Sequence, residues 1–134
     1  MIPEGVVRAR PGARILVVDD DADTAASMAQ LLKLFGHEVR TARDGFQALA
    51  VAVGWRPEFI LLDIGLPGLD GYQVAIRLRR EASCQQTVIM AVSGYGQAED
   101  RQRSREAGID HHLLKPVDID GLLALLSRPD EITS

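Results

Sequence analysis

The chain has 134 residues, of which 46% are hydrophobic and 25% charged, and it carries a net charge of −4. This is the profile of one globular domain with a real core, and the chain is too short for two ordinary ones. The acidic balance gives no sign of a nucleic-acid-binding surface. The lone Cys84 excludes an internal disulfide and is too isolated for a zinc site. No apolar run approaches the roughly 18 residues of a membrane helix.

Residues 1–12, rich in Pro, Gly and Arg, lack an apolar core of signal-peptide length and read as a flexible lead-in. A cytoplasmic location is expected by default. Ile15-Leu-Val-Val18 is apolar without alternation, which suits a strand buried on both faces. It ends in Asp19-Asp20-Asp21. From Ala22 to Phe35, Ala25, Met28, Leu32 and Phe35 fall at helical spacing, with Gly36 as the stop. Glu38 to Ala42 alternates polar and apolar, as an edge strand does. Asp44 is placed to cap a helix through Val53 that Gly54 would close.

Phe59-Ile-Leu-Leu-Asp63 is a second fully apolar run ending on a carboxylate, followed by the Gly/Pro loop of residues 64–69. Asp70-Gly71 opens a helix with Val74, Ala75 and Leu78 inward. Thr87 to Val92 is another buried strand, ending in Ser93-Gly94. Gln97 to Ala107 has helical propensity but almost no apolar stripe. It relies on pairs such as Glu99 with Arg103, each worth about 0.2–0.5 kcal/mol, and is expected to be the least firmly held helix. Gly108 ends it, and His112 to Leu114 forms the last strand, running into Lys115-Pro116. Asp118 caps a helix with Ile119, Leu122, Leu123 and Leu126 on one stripe and Leu125 off it. The tail, residues 128–134, is polar.

Five strands alternating with five helices over residues 13–127 predict an α/β fold. Such a (βα)5 chain forms a doubly wound parallel five-stranded sheet with right-handed crossovers. With the alternating strand at an edge, the order is 2-1-3-4-5, the flavodoxin-like arrangement. Ligands in such sheets bind at the carboxyl ends of the strands. Those ends carry Asp19 and Asp20, Asp63, Ser93, and Lys115. Two bare charges about 4 Å apart repel by roughly 4 kcal/mol at an effective dielectric of 20, so three carboxylates need a cation between them or one of them protonated. Oxygen-only ligands with room for water suit Mg²⁺. Carboxylates and a divalent metal beside a hydroxyl and an ammonium suit a transferring phosphoryl group, with Asp63 left as the nucleophile. Asp21 and Asp23 are explained by helix capping alone.

The motifs Leu16-Val-Val-Asp-Asp20, Leu62-Asp-Ile-Gly-Leu-Pro-Gly-Leu-Asp-Gly71, Ala91-Val-Ser-Gly94 and Leu114-Lys-Pro-Val117 stand in order at the right spacing. In these the chain resembles the receiver domain of two-component response regulators. The resemblance implies that Asp63 accepts a phosphoryl group from a histidine kinase or a histidine phosphotransfer domain. Asp19, Asp20, Asp63 and the backbone carbonyl of Gly65 would hold Mg²⁺, with Mn²⁺ as a substitute. Ser93 would be the switch hydroxyl, the Gly94 N–H a further phosphate donor and Lys115 the phosphate-pairing cation. It also implies a cis bond before Pro116. Three residues before the lysine the family commonly has Tyr or Phe, where this chain has His112. A domain of this kind is not expected to be an enzyme beyond assisting its own phosphorylation and dephosphorylation. A downstream protein partner would meet the surface formed by 97–107, 112–114 and 118–127, with neither nucleic acid nor membrane involved.

Other functions meet specific obstacles. A flavin module would need a phosphate-cradling loop where Asp19-Asp20-Asp21 would repel one. A phosphatase with an aspartyl nucleophile needs a second acid where Gly65 stands. A receiver used only for protein interaction would not need the full set of acids. Within the resemblance two organisations stay open. Met1 suggests a free-standing regulator. The lead-in and His112 suggest a receiver from a hybrid kinase, acting as a relay intermediate or phosphate sink.

Overall fold

The computed structural model describes residues 12–94 and 101–127. The parts of the predicted lead-in, tail and helix start that fall on residues 1–11, 95–100 and 128–134 lie outside it, Glu99 included. The elements alternate as β1 (Arg14–Val18), α1 (Ala22–Leu34), β2 (Glu38–Ala42), α2 (Gly45–Trp55), β3 (Phe59–Asp63) and α3 (Gly71–Arg80). A 3-10 turn at Ala82–Cys84 leads to β4 (Val88–Ser93), α4 (Arg101–Ala107), β5 (His111–Leu114) and α5 (Ile119–Leu126). All strand pairs are parallel and the order is β2-β1-β3-β4-β5, as predicted.

Alternate residues of the buried strands serve opposite faces. Leu16, Val18, Ile60, Leu62, Ile89 and Ala91 pack with Ala48 and Ala52 of α2 and with Val74 and Leu78 of α3. Ile15, Val17, Phe59, Leu61, Met90 and Val92 pack with Ala25 and Leu32 of α1 and with Leu122 and Leu126 of α5. This two-sided burial is why the central strands read as unbroken apolar runs. Leu125, off the predicted stripe, packs against the second cluster and is not a free apolar patch.

Two local expectations are corrected. The buried positions of α1 are Ala25, Ala29 and Leu32, whereas Phe35 is the C-cap and 46% exposed. The helix ends one residue earlier than predicted, so Phe35 leaves the helical stripe. Secondly, α2 runs past Gly54 to Trp55, because Trp55 packs against the core and the Arg40 guanidinium stacks 4.7 Å from its ring centre. Its left-handed cap is Arg56 (φ 57), and Arg14 reaches across to the Arg56 carbonyl with Nε at 3.0 Å and Nη2 at 2.8 Å. Charge-assisted bonds from another strand offset the cost of placing a non-glycine residue there.

The described part of the polar segment expected to be the least firmly held helix is α4. It has the polar surface predicted, with only Ser104 and Ala107 buried, but it is tied down by polar contacts. The Arg103 guanidinium lies 4.3 Å from the centre of the Tyr72 ring and 3.4 Å from Asp70. Ser104 hydrogen-bonds His112 of β5. Arg79, from α3, donates to the carbonyls of Gly108, Cys84 and Thr87 and to Asp110, at 2.8–3.0 Å. Gly108 closes α4 at φ +85 with Arg79 pressed so near that a Cβ would sit 2.7 Å from its Cγ, so glycine is needed for both reasons.

Candidate functional site

Backbone register brings the acids together. Val18 of β1 pairs with Leu62 of β3, so the next residues, Asp19 and Asp63, emerge side by side at the carboxyl end of the sheet. Both are deeply set, at 6% and 7% exposure, while Asp20 is exposed. Oxygens of Asp19, Asp20 and Asp63 all lie within 4.8 Å of one another. Each buried acid has one oxygen fixed by the backbone just beyond it: Asp21 N–H donates to Asp19 Oδ1 and Gly65 N–H to Asp63 Oδ1, both at 2.9 Å. Such short-range bonds orient the carboxylates without neutralising them.

The loop after β3 is held from behind. The Gly71 N–H donates to the Ile64 carbonyl at 3.2 Å, and a Cβ at Gly71 would come within 2.5 Å of Ile64 Cα. Only glycine lets α3 start this close to the strand end. Asp70 and Gln73 complete a reciprocal capping box there.

Neutralising charge comes from the far edge of the sheet. Lys115 Nζ lies 3.4 Å from both Asp19 Oδ2 and Asp63 Oδ2. Burial works to lower the lysine's pKa, but Asp63 and Asp19 together outweigh it and the pKa is raised above its ordinary value. The ammonium is thus kept charged at the point where three carboxylates converge. It supplies the cation that the charge argument demanded, and it stands between two of the acids rather than on the far side of the cluster. The Lys115 backbone N–H donates to the Ser93 carbonyl at 2.8 Å, and the Lys115–Pro116 bond is cis. Ser93 is 1% exposed at the end of β4, beyond Val92, the partner of Asp63.

Asp21 caps α1 by accepting from the Asp23 and Thr24 N–H groups. Its hydrogen bonds with Thr24 lower its pKa. It contributes to the helix and not to the cluster.

The donor set is all oxygen and clustered, which fits a hard divalent cation with water completing its shell. Beside it opens a groove of about 490 Å³, lined by Thr24, Met28 and Leu31 of α1 and by Pro116, Val117 and Ile119. His112 is half-buried, with its ring tied to Ser104. Neither Ser104 nor Arg79 was singled out from sequence. Ser104 is one polar residue among arginines, and the only hint for Arg79 is its place in the last turn of α3.

The family model described as "Response regulator receiver domain" matches residues 15–127. The chain belongs to the response regulator receiver domains. It is 43% identical over 111 residues to the transcriptional regulatory protein PrrA of Mycobacterium tuberculosis, covering 83% of this chain and 47% of that one. It is 32% identical to Protein PilH of Pseudomonas aeruginosa, covering 86% and 95%. The chain spans about half the length of the first curated relatives it matches. Among solved structures, the chemotaxis protein CheY4 of Vibrio cholerae superposes with a TM-score of 0.79 at 28% identity, covering 86% of this chain and 96% of that one. The receiver domain of sensor histidine kinase PA1611 from Pseudomonas aeruginosa, solved with a magnesium ion coordinated in its active-site cleft, gives 0.77 at 30% identity, covering 86% and 94%. As a receiver domain the chain has the doubly wound sheet of its relatives, and its acidic cluster fits the magnesium and phosphorylation site of the family. No helix among the described residues is long and apolar enough to cross a membrane.

Proposed function

We propose that Asp63 is the phosphoacceptor of this receiver domain, taking a phosphoryl group from a phosphohistidine of a kinase or phosphotransfer domain. One observation carries the reading: a buried carboxylate at a strand end, with two more acids within 4.8 Å and a lysine ammonium 3.4 Å away. An Asp63 oxygen forms the new O–P bond while the N–P bond of the donor breaks, and the imidazole leaves with the bonding pair. Gly65 N–H holds Oδ1 still, so positioning, most of what phosphoryl transfer requires, is built into the backbone.

Asp19, Asp20, Asp63 and the Gly65 carbonyl would hold Mg²⁺, which supplies charge neutralisation for the phosphoryl oxygens when bound. Mn²⁺ would serve the same oxygen donors. Lys115 pairs with the incoming phosphoryl group, and the Ser93 hydroxyl and Gly94 N–H donate to it. The apolar groove beside α1 leaves the acids open to a donor domain. Of the surface expected for a downstream partner, the described residues are 101–107, 112–114 and 118–127, and residues 13–127 are the signalling unit. The domain assists its own phosphorylation and dephosphorylation and turns over no separate substrate. A second reading, a relay intermediate or phosphate sink within a hybrid kinase, is favoured by the likeness to the PA1611 receiver.

The test is incubation with acetyl phosphate and Mg²⁺, followed by intact-mass measurement. A single base-labile phosphoryl adduct is expected, absent in Asp63→Asn. An adduct that survives this substitution, or none in the parent, overturns the assignment.

A further inference from the structure

Residue for residue, α4 reads Arg-Gln-Arg-Ser-Arg-Glu-Ala. It has no apolar face that could anchor it, and its two buried residues are Ser104 and Ala107. Ser104 is buried at 3% exposure, and its hydroxyl is hydrogen-bonded to Nε2 of His112. His112 stands on β5 opposite Ala91 of β4, and Ala91 belongs to the core cluster on the face that carries α2, α3 and α4. Three residues further on, immediately past the end of β5, Lys115 reaches Asp19 and Asp63 with its ammonium and Ser93 with its backbone N–H. One short strand therefore leads to the acid cluster at one end and touches α4 at its middle.

The contacts that hold α4 differ in what they allow. The Arg103–Asp70 pair to α3 is long, at 3.4 Å, with both side chains a third or more exposed. Water can replace such a pair at little cost. The Arg103–Tyr72 stacking tolerates sliding of a flat cation over a flat ring. The Ser104–His112 bond is different, because parting it inside the protein strands polar atoms away from water. Arg79 of α3 also holds the Gly108 carbonyl, just past the C-terminal end of α4, at 2.8 Å, so that end stays with α3, and of the contacts along the helix itself the Ser104–His112 bond is the costliest to part.

We propose that Ser104 and His112 form a tether that makes α4 follow β5, so that both are positioning residues for the response to phosphorylation at Asp63. The imidazole is not a free ring that swings between two rotamers. It is a handle by which movement of Lys115 and Ser93 toward a phosphoryl group is carried into the helix. This inference rests on the reading of Asp63 as phosphoacceptor.

The test uses the full chain with acetyl phosphate and Mg²⁺, following amide shifts of residues 101–107 and the imidazole nitrogen resonances of His112 by NMR. In the parent, phosphorylation moves both sets of signals. In Ser104→Ala the adduct forms at the parental rate, while the shifts in α4 are lost. Ser104→Thr, which keeps the hydroxyl, restores them. His112→Phe keeps a ring, removes the nitrogen and reads the same prediction from the other partner should Ser104→Ala fail to fold. Phosphorylated Ser104→Ala or His112→Phe with the parental α4 shifts overturns the tether alone. Failure of the parent to take the adduct overturns the reading beneath it as well.

Discussion

The acid cluster and the α4 flank are neighbours at one side of the sheet, yet they are held by opposite means. Asp19 and Asp63 emerge from β1 and β3, whose residues are buried on both faces and hydrogen-bonded on both edges. On the flank, α4 buries one serine and one alanine and is held by a stacked arginine, an imidazole and the Arg79 guanidinium. A close-packed apolar core resists displacement. Polar ties can be exchanged one for another at modest cost. On the proposed reading, the first holds the phosphoacceptor site and the second holds the surface that responds.

That contrast can be broken or sharpened by experiment. The largest effect is expected from Leu62→Ala, next to Asp63 and fully buried. It should cost about 2–5 kcal/mol by transfer and cavity terms, measured by urea unfolding. It should also slow adduct formation, since Asp63 loses its support. A stable variant with unaltered labelling would mean that the strand core does not position the acid.

Arg79→Ala should come next. It removes donors from the carbonyls of Gly108, Cys84 and Thr87, and leaves Asp110 with the Ile89 N–H alone. A loss of about 1.5–3 kcal/mol follows from the worth of hydrogen bonds to charged groups. Hydrogen exchange should rise in α4 and at the start of β4 while β1 and β3 stay protected. Uniform loss of protection would refute the idea that the flank is held separately.

The smallest effect at neutral pH comes from the opposite end of the sheet. His37 is 4% exposed and neither ring nitrogen has a hydrogen-bond partner. Burial lowers its pKa below the ordinary 6.5, with Glu58 acting weakly in the other direction. The unfolded chain therefore takes up a proton on this ring before the folded one does. His37 favours folding above pH 6.5, and that contribution is lost as pH falls through the folded pKa. Lys115 has the opposite sign. Its pKa is raised above 10.5, so its contribution is complete below that value and is lost only as pH rises through the folded pKa. Urea midpoints between pH 7.5 and 5 should fall for the parent and fall less steeply for His37→Phe. Identical slopes would place the acid sensitivity elsewhere.

Much of this was legible in the residues. The unbroken runs Ile15–Val18 and Phe59–Leu62 announced strands buried on both faces, and the acid after each run marked the ligand-binding edge. Asp44, Asp70 and Asp118 cap their helices as read. Phe35 was misread because the stripe was extended one residue beyond the helix, and Gly54 because a glycine was taken as the stop where Trp55 had packing to gain.

By itself, the sequence determined the order of elements, the layers of the fold and the four strand ends at which chemistry collects. These follow from local pattern, since periodicity, caps and turn residues act between near neighbours. Tertiary structure alone decided that Lys115 stands between Asp19 and Asp63, and that Ser104 holds His112. The first joins residues 96 and 52 positions apart, and no local pattern records a distance of that kind. The second joins a serine and a histidine whose neighbours in sequence give neither a reason to be buried. Both contacts exist because parallel crossovers return distant segments to one edge of the sheet, where charge and hydrogen bonding select which side chains meet.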